Sequence, residues 1–221
     1  MLSHADEGPV GLLGEWLTER GCRFEICDVI AAPLPALRDY DFVASLGSSH
    51  SATDTSRPWV AAELALLREA AAADVPVLGL CFGGQALSIA LGGEVVAAQP
   101  PQIGWFELSG PDGIPPGPWF YWHHEQLSVP PGGELLAHSQ AGPAAFRHGR
   151  HLGLQFHPEV TVDVIASWAR SEDELAKLGI SPQALRAESE HRAARARADA
   201  WELFAWWWDG LGVGLSRERL S

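Results

Sequence analysis

Basic residues are scarce in this chain: 15 Lys and Arg stand against 28 Asp and Glu, a formal net charge of −13. A protein that grips phosphate backbones usually presents a basic face, so this balance argues against a nucleic-acid partner. The one concentration of arginine, from Arg186 to Arg197, is interleaved with Glu188, Glu190 and Asp199 at helical spacings, the pattern of a solvated helix face. Cysteine is scarce too, and Cys22, Cys27 and Cys81 cannot all pair, which argues against a secreted disulfide scaffold. There is no apolar run of about 18 residues to cross a membrane and no charged-then-apolar leader. The phosphate-binding pattern G-x-x-x-x-G-K-[ST], internal repeats and low-complexity linkers are likewise absent. These absences read as a cytoplasmic protein with free thiols and no membrane or nucleic-acid partner.

What is present is an ordinary globular composition, 47% hydrophobic and 19% charged over 221 residues, which suits one folded α/β domain. Leu12, Leu13, Trp16 and Leu17 recur at helical spacing before Gly21, predicting a helix over about 9–20. Strand-like runs follow at Phe24 to Ile30 and Asp41 to Leu46. Pro58 opens an alanine- and leucine-rich helix to about Ala73, and Val75 to Leu80 is another strand. This alternation predicts a parallel sheet with helices on both faces. From Ile103 to Phe156 short apolar runs are punctuated by Pro-Gly pairs, which suits antiparallel hairpins added at one side. The loop at Pro111 to Pro118 is the strongest internal break, and the last fifty residues read as helical. Only Met1 and Leu2 precede a polar loop, so the first strand is very short or absent. Among ten tryptophans, Trp206, Trp207 and Trp208 are consecutive and cannot share one side of a helix; packing within the chain is favoured over a partner surface.

The stretch from Val77 to Gln85, VLGLCFGGQ, is an apolar strand that runs into a cysteine bracketed by glycines and then into a helix from about Gln85. Small residues permit the sharp strand-to-helix turn that holds a nucleophile clear of the backbone. At that position Cys81 meets the positive end of a helix dipole, which favours a thiolate, the attacking species. Cys22 and Cys27 lack glycine brackets and read as small packed residues.

A cysteine nucleophile needs a base and a group that orients it. The stretch from Leu152 to Val160, LGLQFHPEV, delivers His157 at the end of an apolar strand, Pro158 stops the strand, and Glu159 stands two residues on, where its carboxylate can fold back to the imidazole. His4, His50, His138, His148, His151 and His191 have no such setting and read as surface or core residues. His123, His124 and Glu125 carry metal-ligating atoms, but no further ligand stands at a characteristic spacing, so no metal is expected.

Together, GLCFGGQ at 79–85 and QFHPE at 155–159 resemble the two signatures of class I glutamine amidotransferases. Gly47-Ser48-Ser49-His50-Ser51 with Asp54, Pro58-Trp59 and Glu63, then Ile103-Gly104-Trp105 and Trp122 to Glu125, are similar in matching order to the glutaminase part of GMP synthase. The resemblance runs from about residue 8 to 168. It implies a flavodoxin-like sheet, a single amidotransferase domain over 1–221 with a C-terminal helical extension at about 171–221, and no cofactor. It also implies hydrolysis of L-glutamine to glutamate and ammonia by Cys81, His157 and Glu159, with a separate synthetase or ligase as ammonia acceptor. Oxyanion donors would be the backbone N–H groups of Phe82 and Ser48; Gly47, Gln85, His123 and His124 match positions near the substrate. Where the family shows Gly-Pro, this chain has Ser48-Ser49, so serine is expected to take up a glycine-type backbone at some steric cost. A hydrolase of another γ-glutamyl amide, or a regulatory protein of the same fold without catalysis, are the alternatives.

Overall fold

A computed structural model describes residues 1–4, 8–110, 112–170 and 172–211, without the side chains of residues 172–174. Pro111, at the start of the Pro-rich loop, and residues 171 and 212–221 of the C-terminal extension lie outside the described residues.

The chain opens with β1 (Leu2–Ser3), followed by α1 (Gly11–Glu19), β2 (Cys27–Asp28), β3 (Val43–Ser45), α2 (Pro58–Ala72), β4 (Val77–Leu80) and α3 (Phe82–Ala90). Then come β5 (Val95–Phe106), β6 (Trp119–Leu127), β7 (Glu134–Ser139), β8 (Gly142–His148) and β9 (His151–Leu154), before α4 (Val162–Trp168), α5 (Glu172–Lys177) and α6 (Pro182–Gly210). The main sheet runs β2-β1-β3-β4-β9-β8-β7. Its first five strands are parallel, and β9-β8-β7 pair antiparallel. The parallel part has the strand order of a flavodoxin-like sheet, in which ligands bind outside the carboxyl ends of the strands.

Alternate residues of β4 serve opposite faces. Leu78 and Leu80 join a core with α1 and α6, whereas Val77 joins one with α2 and α3. The expected hairpins divide: β7 and β8 extend the main sheet, while β5 and β6 form a separate two-stranded sheet. Val160, Ile165 and Leu185 pack beside Ile103 and Phe120 of that sheet, bringing the C-terminal helices over it.

Two boundaries differ from expectation. The run from Phe24 to Ile30 yields only Cys27–Asp28 as strand, because β2 is an edge strand with Ile26 and Ile30 largely exposed. Helix α3 begins at Phe82, directly after Cys81 and three residues earlier than expected. Trp207 is buried and Trp208 is edge-on to Trp16 and Phe42, so the tryptophan run packs within the chain.

Candidate active site

Cys81 sits between β4 and α3 with φ 50° and ψ −104°, a conformation that few non-glycine residues adopt. Its surroundings hold it there. The Cys81 N–H donates to Leu154 O at 2.9 Å, and Gly83 N–H donates to Leu46 O at 3.2 Å, tying the turn to β9 and to the loop after β3. A Cβ at Gly83 would come within 2.1 Å of Ser45 O, so helix α3 can start this close to β3 only without a side chain at that position.

His157 lies past the end of β9, with its backbone N–H donating to Phe120 O at 2.8 Å. Its ring Nδ1 stands 2.7 Å from Glu159 Oε1, and both residues are buried. Glu159 is anchored through its own carbonyl, which accepts from Leu12 N–H at 2.8 Å at the start of α1. Gly11, with φ 42°, passes so close to this carbonyl that a Cβ would stand 2.0 Å from it. Trp168 of α4 covers the imidazole edge-on, with ring centroids 5.0 Å apart.

Burial pushes the His157 pKa down, but the Glu159 carboxylate and the nearby charge of Cys81 outweigh it and raise the value to about 10. The ring's Nε2 has no well-formed hydrogen bond to a protein group. It lines the same cavity as Cys81, near enough for the sulfur's charge to favour the imidazolium. The sulfur itself is 3.8 Å from Gln155 Nε2 and 3.7 Å from Trp122 O.

Of these groups, Cys81, His157, Trp122 and Trp168 line one open cavity of about 690 Å³. Gly47 and Ser48 form one wall with Ser49, His50 and Ser51; Trp122, His123, His124 and Glu125 of β6 form the opposite one. Ser51 Oγ donates to Glu125 Oε1 at 2.9 Å, joining the two walls. Gln85 reaches the cavity, but its Nε2 donates to Glu125 O at 2.7 Å, so that amide N–H braces β6. His123 Nδ1 also lies 3.0 Å from Glu125 O, which must accept, so Nδ1 carries the proton and the buried Nε2 is left as an unpaired acceptor. Burial pushes the His123 pKa down to about 4, leaving the ring neutral. Phe82 turns its side chain inward against His4 and Trp59, so only its backbone is available to the site.

The fold does bring together the residues singled out from the sequence: Cys81, His157, Glu159, Gly47, Ser48, Gln85, His123 and His124 share one region. Strain was expected at Ser48 and Ser49, and there the structure differs. Among the described residues the only non-glycines with positive φ are Asp74 and Cys81, so the serine loop follows ordinary backbone geometry. His50, read as a surface or core residue, lines the cavity. Trp168 escapes sequence reasoning, since nothing in its local pattern distinguishes it from a packing residue. Gln155 escapes it too, although its position inside the QFHPE stretch was the available signal. Among the described residues no group of three or more His, Cys, Asp or Glu is arranged to hold a metal ion.

The sequence profile of the family Glutamine amidotransferase class-I matches residues 47–165, the span that carries the elbow, the histidine corner and most of the cavity. The chain belongs to the class-I glutamine amidotransferases. Within that family it is similar to GMP synthases. It is 37% identical over 105 residues to the glutamine-hydrolyzing GMP synthase of Nitrosomonas eutropha, a match covering 39% of this chain and 20% of that protein. It is 31% identical over 140 residues to a subunit of the glutamine-hydrolyzing GMP synthase of Sulfurisphaera tokodaii, covering 58% of this chain and 72% of that one. The chain therefore spans only about a fifth of a relative such as the first of these. Among solved structures, a glutamine amido transferase from Methylobacillus flagellatus is 28% identical with a TM-score of 0.84, covering 95% of this chain and 93% of its own. A glutamine amidotransferase from Thermotoga maritima shares the fold at a TM-score of 0.85 and 24% identity, with 96% of each chain covered. Among the described residues no helix is long and apolar enough to cross a membrane.

Proposed function

We propose that the cavity hydrolyses the side-chain amide of L-glutamine through a thioester on Cys81 and that the ammonia serves a separate synthetase. One observation carries this reading: a cysteine held at positive φ on a strand-to-helix turn shares a cavity with a buried His157–Glu159 pair. The Cys81 sulfur attacks the amide carbonyl, and the charge that develops on oxygen is met by the N–H groups of Ser48 and Phe82. As the carbon–nitrogen bond breaks, His157 gives its proton to the departing nitrogen, which leaves as ammonia. Water then attacks the thioester, His157 takes a proton from it, and the carbon–sulfur bond breaks to release glutamate and the sulfur anion. Glu159 orients His157 and favours its protonated form, consistent with the raised pKa.

Glutamine would lie between the serine loop and β6, contacting Gly47, His123 and His124, with Gln85 holding β6 in position. The neutral His123 offers Nε2 as an acceptor for an N–H of the substrate. A synthetase partner is supported by the Sulfurisphaera tokodaii relative, which is one subunit of a GMP synthase. We treat the chain as one amidotransferase domain whose C-terminal helices are an extension of it; α6 shares a core with α1 and the sheet, in keeping with that.

The test is glutamate release from L-glutamine by the purified protein, with Cys81→Ala as control and a short panel of γ-glutamyl amides alongside. Turnover of glutamine that disappears in the variant supports the reading. Turnover of another γ-glutamyl amide in preference to glutamine would replace the substrate, and identical rates in wild type and variant would refute Cys81 as nucleophile.

A further inference from the structure

Behind the cavity wall lies a second buried histidine–carboxylate pair that the reaction scheme does not use. His4 follows β1 directly and is fully buried. Its Nε2 is 2.8 Å from Glu63 Oε2 of α2, and its Nδ1 is 3.0 Å from the carbonyl oxygen of Gly47. The second carboxylate oxygen of Glu63 accepts from Ser45 Oγ at 2.5 Å, and Glu63 too is fully buried. Burying three polar side chains in an apolar core is costly unless each is satisfied, and here each is.

The arrangement has a direction. A carbonyl oxygen only accepts, so Nδ1 of His4 must carry a proton and donate it to Gly47. Glu63 holds the other nitrogen, whether as a carboxylate facing an imidazolium or as an acid facing a neutral ring; either way the Nδ1–H stays aimed at Gly47. The carbonyl of Gly47 and the N–H of Ser48 belong to one planar trans peptide and point to opposite sides. Fixing the carbonyl inward on His4 therefore fixes the Ser48 N–H outward, on the side where Gly47 and Ser48 line the cavity. The wall is close-fitting there, since a Cβ on Gly47 would stand 3.0 Å from Cε1 of His157. The same His4 ring also packs edge-on against Phe82 at 4.6 Å, next to the other candidate oxyanion donor.

From this we infer that His4, held by Glu63 and Ser45, is a positioning residue that sets the orientation of the Gly47–Ser48 peptide and so preforms the oxyanion site. The inference rests on the glutaminase reading for its kinetic consequence, though the peptide orientation is a separate observable. Preorganised donors are effective because no reorganisation accompanies charge development.

Two nearly isosteric variants separate the contacts. His4→Gln places an amide near the Nε2 position, keeping a partner for Glu63 while removing the donor to Gly47. His4→Asn places an amide N–H near Nδ1 and keeps that donor. In glutamate release from L-glutamine, His4→Gln should lower kcat by roughly 10²–10³-fold with KM within about threefold, the size of losing one oxyanion donor. His4→Asn should recover at least about tenfold of that loss. Alkylation of Cys81 by iodoacetamide needs the thiolate and no oxyanion site, so its rate should stay within about threefold in both variants, whereas an unfolded site would expose Cys81 as an ordinary thiol and shift the rate away from the wild-type value. A crystal structure of His4→Gln should show the Gly47–Ser48 peptide turned from its present orientation. Equal kcat in the two variants, or an unchanged peptide in His4→Gln, overturns the inference. If His4→Gln does not fold, wild-type-like kcat in His4→Asn supports the inference, and a loss of 10²-fold or more there opposes it. If the wild type releases no glutamate, the glutaminase reading fails, and the peptide orientation still decides this proposal.

Discussion

A single methyl group distinguishes alanine from glycine at position 83, and the elbow has no room for it. The Cβ would meet Ser45 O at 2.1 Å and Ser45 Oγ at 2.6 Å, both on a strand buried in the sheet. Helix α3 would have to withdraw from β3, breaking the Gly83 N–H to Leu46 O bond and moving Cys81 with it. Gly83→Ala should destabilise by about 1–3 kcal/mol or more, as overpacked cores do, and slow both glutamate release and Cys81 alkylation. Urea unfolding with the same m value and a lower midpoint would establish the stability part. A midpoint equal to wild type would show that the elbow tolerates a side chain. That Cys81, His157 and Glu159 come together was legible in the sequence because each sits in a short stretch whose neighbours enforce its geometry. His4 was not, because its meaning depends on Glu63, a partner 59 positions away, and on the Gly47 carbonyl, which no residue type encodes.

At the scale of elements, α6 shows what periodicity reveals and what it leaves out. Its exposed side was readable from charge, and the ion pairs Arg186–Glu190, Arg192–Glu188 and Arg195–Asp199 form at the expected helical spacing, but Asp199, expected on the solvated face, is buried and meets Arg195 at the edge of the core. Its buried side is set by distant contacts: Phe204 lies edge-on to Trp16 of α1 at 5.9 Å, and Trp207 to Phe42 at 6.0 Å. Edge strand β2 was over-read for a related reason, since an apolar run at a sheet edge pairs only as far as its neighbour extends, and β1 has two residues. If α6 is integral to the core, Phe204→Ala should cost about 3–5 kcal/mol in denaturant unfolding, the range for truncating a buried phenylalanine. A loss below about 1 kcal/mol would mean that the helix rests on the sheet without contributing to its cooperative stability.

For the whole molecule, two of the four histidines that line the cavity, His123 and His157, oppose each other across the pH range. His123, pushed down to about 4 chiefly by burial, binds a proton less readily folded than unfolded, where a histidine titrates near 6.5. Its contribution is present above pH 6.5 and lost as pH falls toward 4. At about 1.4 kcal/mol per pH unit, this shift is on the order of 3 kcal/mol. His157, raised to about 10 by Glu159 and Cys81 against its burial, binds a proton more readily when folded, so its contribution is complete below about 6.5 and lost as pH rises through 10. Thermal unfolding midpoints from pH 4 to 10 should therefore peak near neutrality and fall on both sides, each limb with a different owner. His123→Asn, whose amide retains a donor for Glu125 O, should flatten the acid limb relative to wild type and leave the alkaline one. Glu159→Gln removes the carboxylate that holds the His157 proton and leaves only Cys81 to oppose burial, so the alkaline limb should flatten. If Glu159→Gln left the alkaline limb unaltered, the raised affinity of His157 would have a source other than the carboxylate beside it.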